Sequence, residues 1–181
     1  MLAEGKEKLN RNKQYLSTKI LAEIIVFVSL ATVLSNIKLF SLPQGGSVTA
    51  ASMMPILWLA LRRGPKVGLF AATLYGVVQL AFEPYIVHIA QLVLDYPLAF
   101  GLLGVAGFFQ KRPYVGIGLG IAGRFFAHFV SGIIFFPSFA GDLHPAVYSA
   151  WYNGSYLLVE FAFTIYIIYL LRKNKVFEIY I

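Results

Sequence analysis

Four short clusters of basic residues, set between long apolar runs, constrain this chain more than any other feature. Lys6, Lys8, Arg11, Lys13 and Lys19 form the first cluster, and Arg62, Arg63 and Lys66 the second. Lys111 and Arg112 form the third, and Arg172, Lys173 and Lys175 the fourth. Together they hold 13 of the 15 basic residues; only Lys38 and Arg124 fall elsewhere. A spanning helix needs about 20 mostly apolar residues to cross roughly 30 Å of hydrocarbon. Six runs approach that length: 20–40, 48–61, 67–82, 85–109, 115–136 and 146–171. With six spans all four basic clusters face one side, and the positive-inside rule puts both termini in the cytoplasm. Five or seven spans would break that alternation. The second and third runs are short, so tilt or burial among neighbours has to accommodate them.

Other classes fall away on the same grounds. The chain is 59% apolar and 13% charged, against about 45–50% and 25% in a soluble domain. A net charge of +7 suits nucleic acid only where the basic residues share a face, and here they are dispersed between spans. Cysteine is absent, which removes disulfides, thiolate nucleophiles and Cys-based zinc sites. The three histidines lack ligand-type spacing, so no metal or other cofactor is expected. The first 18 residues are polar and no cleavable signal is expected. The expected organisation is an all-α membrane protein: a basic cytoplasmic segment at 1–18, a six-helix domain at 19–172 and a cytoplasmic tail at 173–181. No internal repeat marks it as a self-contained secondary transporter, and no P-loop supplies ATP hydrolysis. A transport role therefore needs energy from another subunit.

Ionisable residues inside spans are the informative ones, since each costs about 2.5–3.5 kcal/mol at a helix centre on insertion scales. Asp95 sits mid-span, and His88 and Gln91 precede it by seven and four positions, giving that helix a polar stripe. The stripe reads as the wall of a water- or ligand-filled cavity, or as a structural hydrogen bond to a neighbouring helix. On the fifth span His128, Gly132 and Phe136 recur every fourth residue: a histidine, a gap and a ring climbing one face. They suit a pocket for a flat ring compound, or small-residue helix packing. Arg124 is expected to snorkel or to pair with Glu160 or Asp95. Tyr148, Trp151, Tyr152 and Tyr156 read as an interfacial aromatic belt, within which the amide of Asn153 needs a partner. The turn at 42–47, with Pro43, Gly45 and Gly46, is either a ligand contact or a plain reversal. A carboxylate, a histidine, an amide and several rings suit a small cationic or hydrogen-bonding aromatic ligand.

Five short motifs follow in order: 43–55 (Pro-Gln-Gly-Gly-Ser-Val-Thr-Ala-Ala-Ser-Met-Met-Pro), 60–64 (Ala-Leu-Arg-Arg-Gly), 94–100 (Leu-Asp-Tyr-Pro-Leu-Ala-Phe), 128–132 (His-Phe-Val-Ser-Gly) and 152–156 (Tyr-Asn-Gly-Ser-Tyr). Over about residues 20–172 the chain resembles the thiamine-specific substrate-binding (S) component of energy-coupling factor vitamin importers. The resemblance implies a six-helix S-component fold with the vitamin near the extracellular side, in a bacterial cell membrane. It implies a transmembrane coupling subunit and two ATP-binding subunits as partners. The family's thiamine contacts carry over onto Asp95 and Tyr96, His128, Gly132, Tyr148 and Asn153, with Tyr85 as a further contact. Phe136 stands where relatives can have Trp. Glu83 is the rival to Asp95 as the acidic contact. The family's docking face on the first span falls on Ile25 and Ser29, of which only the second is small.

Alternatives keep the architecture and change the ligand, to riboflavin, another vitamin or the hydroxymethylpyrimidine precursor of thiamine. An intramembrane hydrolase using Ser131 and His128 is a remote alternative from another class; the chain has no Gly-x-Ser-x-Gly elbow.

Overall fold

A computed structural model describes residues 17–176. Lys6, Lys8, Arg11 and Lys13 of the first basic cluster, most of the 1–18 segment and the end of the 173–181 tail lie outside the described residues. Six helices occur in order: α1 (Thr18–Ser35), α2 (Met53–Arg63), α3 (Pro65–Phe82), α4 (Ile89–Phe109), α5 (Pro113–Phe135) and α6 (Pro145–Lys173). All but α2 are long and apolar enough to cross a membrane.

The first and second spans differ from the sequence expectation. The apolar run 20–40 does not continue as helix: α1 stops at Ser35, and Lys38–Ser41 forms strand β1, which pairs antiparallel with strand β2, Ser47–Thr49. Val48 therefore opens no helix, and α2 keeps only 11 residues, about 16 Å at 1.5 Å per residue. Its shortness is compatible with the bilayer because it is the most enclosed helix. Met53, Ile56, Leu57, Leu59 and Ala60 are fully buried by the helices around it. The two-stranded hairpin is the one departure from an all-α chain among the described residues.

Helix starts follow from local chemistry. Ser17 caps α1 by accepting from the Ile20 N–H. Prolines open α3, α5 and α6 at their first position, where a missing N–H leaves no bond unmade. Between α2 and α3 the chain turns at Gly64 alone, whose φ of 83° would strain any residue with a Cβ. At the α2–α3 end of the bundle Arg63 grips Glu23 with two hydrogen bonds of 2.6 and 2.5 Å. This explains how α1 tolerates an acid inside its apolar run: a bidentate partner from α2 neutralises it.

Glycines set the closeness of α3 and α4. A Cβ on Gly104 would lie 2.4 Å from the Leu69 backbone, and one on Gly76 would lie 2.4 Å from the Tyr96 carbonyl oxygen. In a bilayer, where lipid supplies little drive for helices to associate, such contact is what packing energy is made of. Large apolar side chains on the outside, including Ile89, Phe108, Trp151 and Leu158, face where lipid lies. Ile25 and Ser29 are both exposed on α1.

Candidate ligand-binding site

One cavity gathers residues from the hairpin, from Ser52 just before α2, and from α1 and α3 to α6. It opens beside the hairpin, at the end of the bundle away from Arg62, Arg63, Lys111 and Arg172. All eight residues expected at the site line it: Tyr85, Asp95, Tyr96, His128, Gly132, Phe136, Tyr148 and Asn153.

Asp95 stands where α4 widens. Pro97 has no N–H for the carbonyl four residues back and its ring crowds that carbonyl. Leu94–Leu98 accordingly adopts a π turn, a distortion that recurs at functional sites. Three donors converge on the Asp95 carboxylate: Gln91 Nε2 at 2.7 Å, Ser131 Oγ at 2.8 Å and His128 Nδ1 at 2.9 Å. Arg124 Nε donates to the other ring nitrogen of His128 at 3.3 Å, so the imidazole proton lies on Nδ1 and goes to Asp95. Asp95 and His128 are largely enclosed, at 14% and 12% side-chain exposure.

The structure changes two expectations drawn from the sequence. The polar stripe of α4 is carried by Gln91 and Asp95 alone; His88 lies at the exposed start of α4, where its Nδ1 accepts from the Ala90 N–H. Arg124 pairs with neither Glu160 nor Asp95 among the described residues. Its guanidinium lies over the Phe100 ring, 4.1 Å from the centroid, and the side chain lines the cavity.

Gly132 has two consequences. A Cβ there would meet Ser149 Oγ at 2.2 Å, so the gap lets α6 approach α5. Ser149 in turn donates to the Phe129 carbonyl at 2.9 Å and accepts from Asn153 Nδ2 at 3.2 Å. Asn153, whose amide needed a partner, also accepts from the Tyr156 hydroxyl at 3.1 Å. The helix-packing and pocket readings of this face are therefore compatible.

Aromatic rings wall the outer part. Tyr148 and Tyr152 stack at 5.8 Å, and Tyr152 meets Tyr156 edge-on at 6.0 Å. Tyr85 and Phe136 lie 5.9 Å apart on another side. Tyr152 and Tyr156, read from sequence as a belt, thus line the cavity, whereas Trp151 beside them is 79% exposed. The signal that could have separated them is spacing: 148, 152 and 156 recur every four residues and share a face, and Trp151 does not. The Tyr96 hydroxyl accepts from the Tyr85 N–H at 2.7 Å and donates to the Glu83 carbonyl at 2.8 Å. Those two bonds pin the segment between α3 and α4.

The turn at 42–47 is the tip of the hairpin and lies on the cavity. Gln44 and Gly45 take the left-handed conformation, with φ of 60° and 90°. Gly46 donates its N–H to the Tyr152 hydroxyl at 2.9 Å, and Tyr148 donates to Gln44 Oε1 at 3.4 Å. At the hairpin base the Thr49 N–H and hydroxyl both donate to Glu160 Oε1, the hydroxyl at 2.6 Å. Glu83 lies at the rim, 2.6 Å from Lys38 and about a third exposed. Ser131 and His128 both bond to Asp95 and Nε2 of His128 is taken by Arg124, so the arrangement is not that of a nucleophile and its base. No metal-binding group of His, Asp and Glu occurs among the described residues.

Comparisons with known proteins identify the family. The profile of the family described as thiamine transporter protein matches residues 21–178. The thiamine transporter ThiT of Bacillus subtilis is 34% identical over 173 residues, which cover 84% of this chain and 88% of that protein. The thiamine transporter ThiT of Lacticaseibacillus paracasei is 26% identical over 181 residues, covering 86% and 88%. A solved structure of ThiT from Listeria monocytogenes superposes with a TM-score of 0.79 at 28% identity, covering 87% of this chain and 96% of that one. The fold is therefore that of the S component expected from the motifs, and the chain belongs to the thiamine transporter protein family.

Proposed function

We propose that this chain is the thiamine-binding subunit of an ATP-driven importer, holding the vitamin in the cavity until a coupling module takes it inward. The observation that carries this reading is a carboxylate enclosed by rings. Asp95 is set by three donors inside a cavity walled by Tyr85, Phe136, Tyr148 and Tyr152. Thiamine joins a permanently cationic thiazolium to a neutral aminopyrimidine. A carboxylate in a medium of low dielectric attracts the first, and ring faces accept both flat groups through stacking and cation–π contact. In this reading Asp95, Tyr96, Tyr85, His128, Gly132, Phe136, Tyr148 and Asn153 surround the vitamin. Ile25 and Ser29, on the outer face of α1, meet the transmembrane coupling subunit, and two ATP-binding subunits act through it.

Calorimetric titration of the detergent-purified chain with thiamine, riboflavin and biotin tests the ligand. Thiamine should bind and outcompete the other two. Tight binding of riboflavin without thiamine would leave the fold and change the cargo. No tryptophan lines the cavity, so quenching on binding should fall on tyrosine emission.

In proteoliposomes the chain alone should bind the vitamin without accumulating it. ATP-dependent uptake should begin only when the coupling and ATP-binding subunits are added. Sustained ATP-driven uptake by this chain alone would refute the division of labour.

A further inference from the structure

We propose that Glu160 is the positioning residue of the hairpin: it anchors the base of β2 to α6 and so sets how long the cavity keeps its ligand. The link to residence time rests on the thiamine reading of the cavity; the anchor itself does not. Glu160 is 1% exposed. It continues the four-residue series of Tyr148, Tyr152 and Tyr156 along the cavity wall. β2 is paired on one side only, so its other edge carries backbone donors that no strand receives. Hydrocarbon offers no water to take them, and each needs an acceptor from the protein. The Thr49 N–H finds one in Glu160 Oε1, which also accepts from the Thr49 hydroxyl at 2.6 Å.

A second attachment gives the hairpin its direction. At the tip Gly46 donates to the Tyr152 hydroxyl at 2.9 Å, and that hydroxyl donates to the Pro43 carbonyl. From Gly46 to Thr49 is three residues, about 10 Å of strand. From Tyr152 to Glu160 is eight residues, about 12 Å of helix. The lengths nearly match, so β2 lies along α6 and runs the same way, held at both ends. The two ends are not equal. The tip bonds pass through a partly exposed phenol, where water competes for them. The base bonds converge on one buried oxygen, where a donor left unmatched pays its full desolvation cost. Without Glu160 the hairpin would hold α6 by its tip alone. Gln44, which accepts from Tyr148 at 3.4 Å, and the two stacked tyrosines would then lose their common alignment over the cavity.

Two readouts on the detergent-purified full chain test the anchor. Hydrogen exchange of the ligand-free protein reports the hairpin, and a chase of bound radiolabelled thiamine with unlabelled vitamin reports its dissociation rate. Glu160→Leu removes the acceptor. Exchange over residues 46–50 should then quicken by about tenfold or more while α3 and α4 keep their protection. Thiamine should leave about tenfold faster, since such changes fall mostly on the dissociation rate. Glu160→Gln keeps one acceptor oxygen. Its amide replaces Oε2, which has no partner among the described residues, and Thr164, one turn further along α6, offers an equally unpartnered buried hydroxyl. This variant should stay within about threefold of wild type in both readouts, because the Thr49 bonds survive. Thr49→Val spares the acid and loses one of the two bonds. It should quicken both readouts by about threefold and add nothing on top of Glu160→Leu, as partners in one contact do. It also decides the matter if the Leu variant does not fold: wild-type values in Thr49→Val would overturn the anchor. So would wild-type values in Glu160→Leu, a Gln variant as fast as the Leu variant, or full additivity of the Thr49 and Glu160 changes. Faster exchange throughout α3 and α4 would mean general loosening and would overturn it too. If the exchange pattern held in a chain whose wild type bound no thiamine, the anchor would stand and the thiamine reading would fall.

Discussion

Asp95→Asn should bind thiamine at least tenfold more weakly than wild type while still inserting and folding. Losing one partner of a buried charged pair commonly costs about 2–5 kcal/mol, and tenfold corresponds to only about 1.4 kcal/mol. The loss has two sources. The thiazolium no longer meets a counter-charge. The amide also keeps one acceptor oxygen where the carboxylate offers two, one to His128 Nδ1 and the other to Gln91 Nε2 and Ser131 Oγ, so at least one of these donors loses its partner. Glu83→Gln is the comparison. Its carboxylate pairs with Lys38 at the partly exposed rim, where an ion pair is worth about 0–1 kcal/mol, and binding should stay within about threefold. The opposite ranking of the two variants would transfer the acidic contact to Glu83. No change in either would mean that the rings hold the vitamin without a counter-charge.

Gly104→Ala should lower the thermal midpoint by several degrees, whereas the same methyl added at Gly118 should not. At position 104 the Cβ would lie 2.4 Å from both N and Cα of Leu69 and 2.6 Å from the Gly68 carbonyl carbon. These are backbone atoms, so no rotamer relieves the clash and α3 must part from α4. Overpacking typically costs about 1–3 kcal/mol, and for a chain of this size each kcal/mol moves the midpoint by about 2–4 °C. Gly118→Ala supplies the control, since a Cβ there meets nothing within 4 Å and helix propensity favours alanine. Thermal unfolding in detergent decides it. Equal midpoints for the two variants would show that the backbones of α3 and α4 do not touch at Gly104.

What the sequence made legible follows from cost. Asp95 and His128 stood out because an ionisable side chain inside hydrocarbon demands a reason, and both line the cavity, bonded to each other. The basic clusters marked the breaks between helices because charge is costly in lipid. Residues whose chemistry fits two settings were harder to assign. Tyr152 and Tyr156 satisfied an interfacial belt as well as a cavity wall, and only the four-residue spacing distinguishes them. By sequence Arg124 fits snorkelling or an acid partner, but a ring face and an imidazole nitrogen receive it instead. The hairpin was hidden for a related reason. Leu39 and Phe40, and Val48 beyond the turn, extend the apolar runs on either side, so hydropathy alone could not see helix give way to strand. The pairing of Lys38 with Thr49 and Phe40 with Val48 is a long-range choice that composition does not encode.

The 11 residues of α2 also bear on how far the cargo has to travel. About 16 Å of helix covers roughly half of a 30 Å hydrocarbon layer. The hairpin precedes α2 in the chain, and its tip and base line the cavity. Irregular backbone at such depth persists only where protein or water, not lipid, surrounds it. A solute arriving at Gln44 to Gly46 meets the wall formed by Tyr148 and Tyr152. In the transport reading proposed above, delivery across the inner half is the step that the ATP-binding subunits would drive.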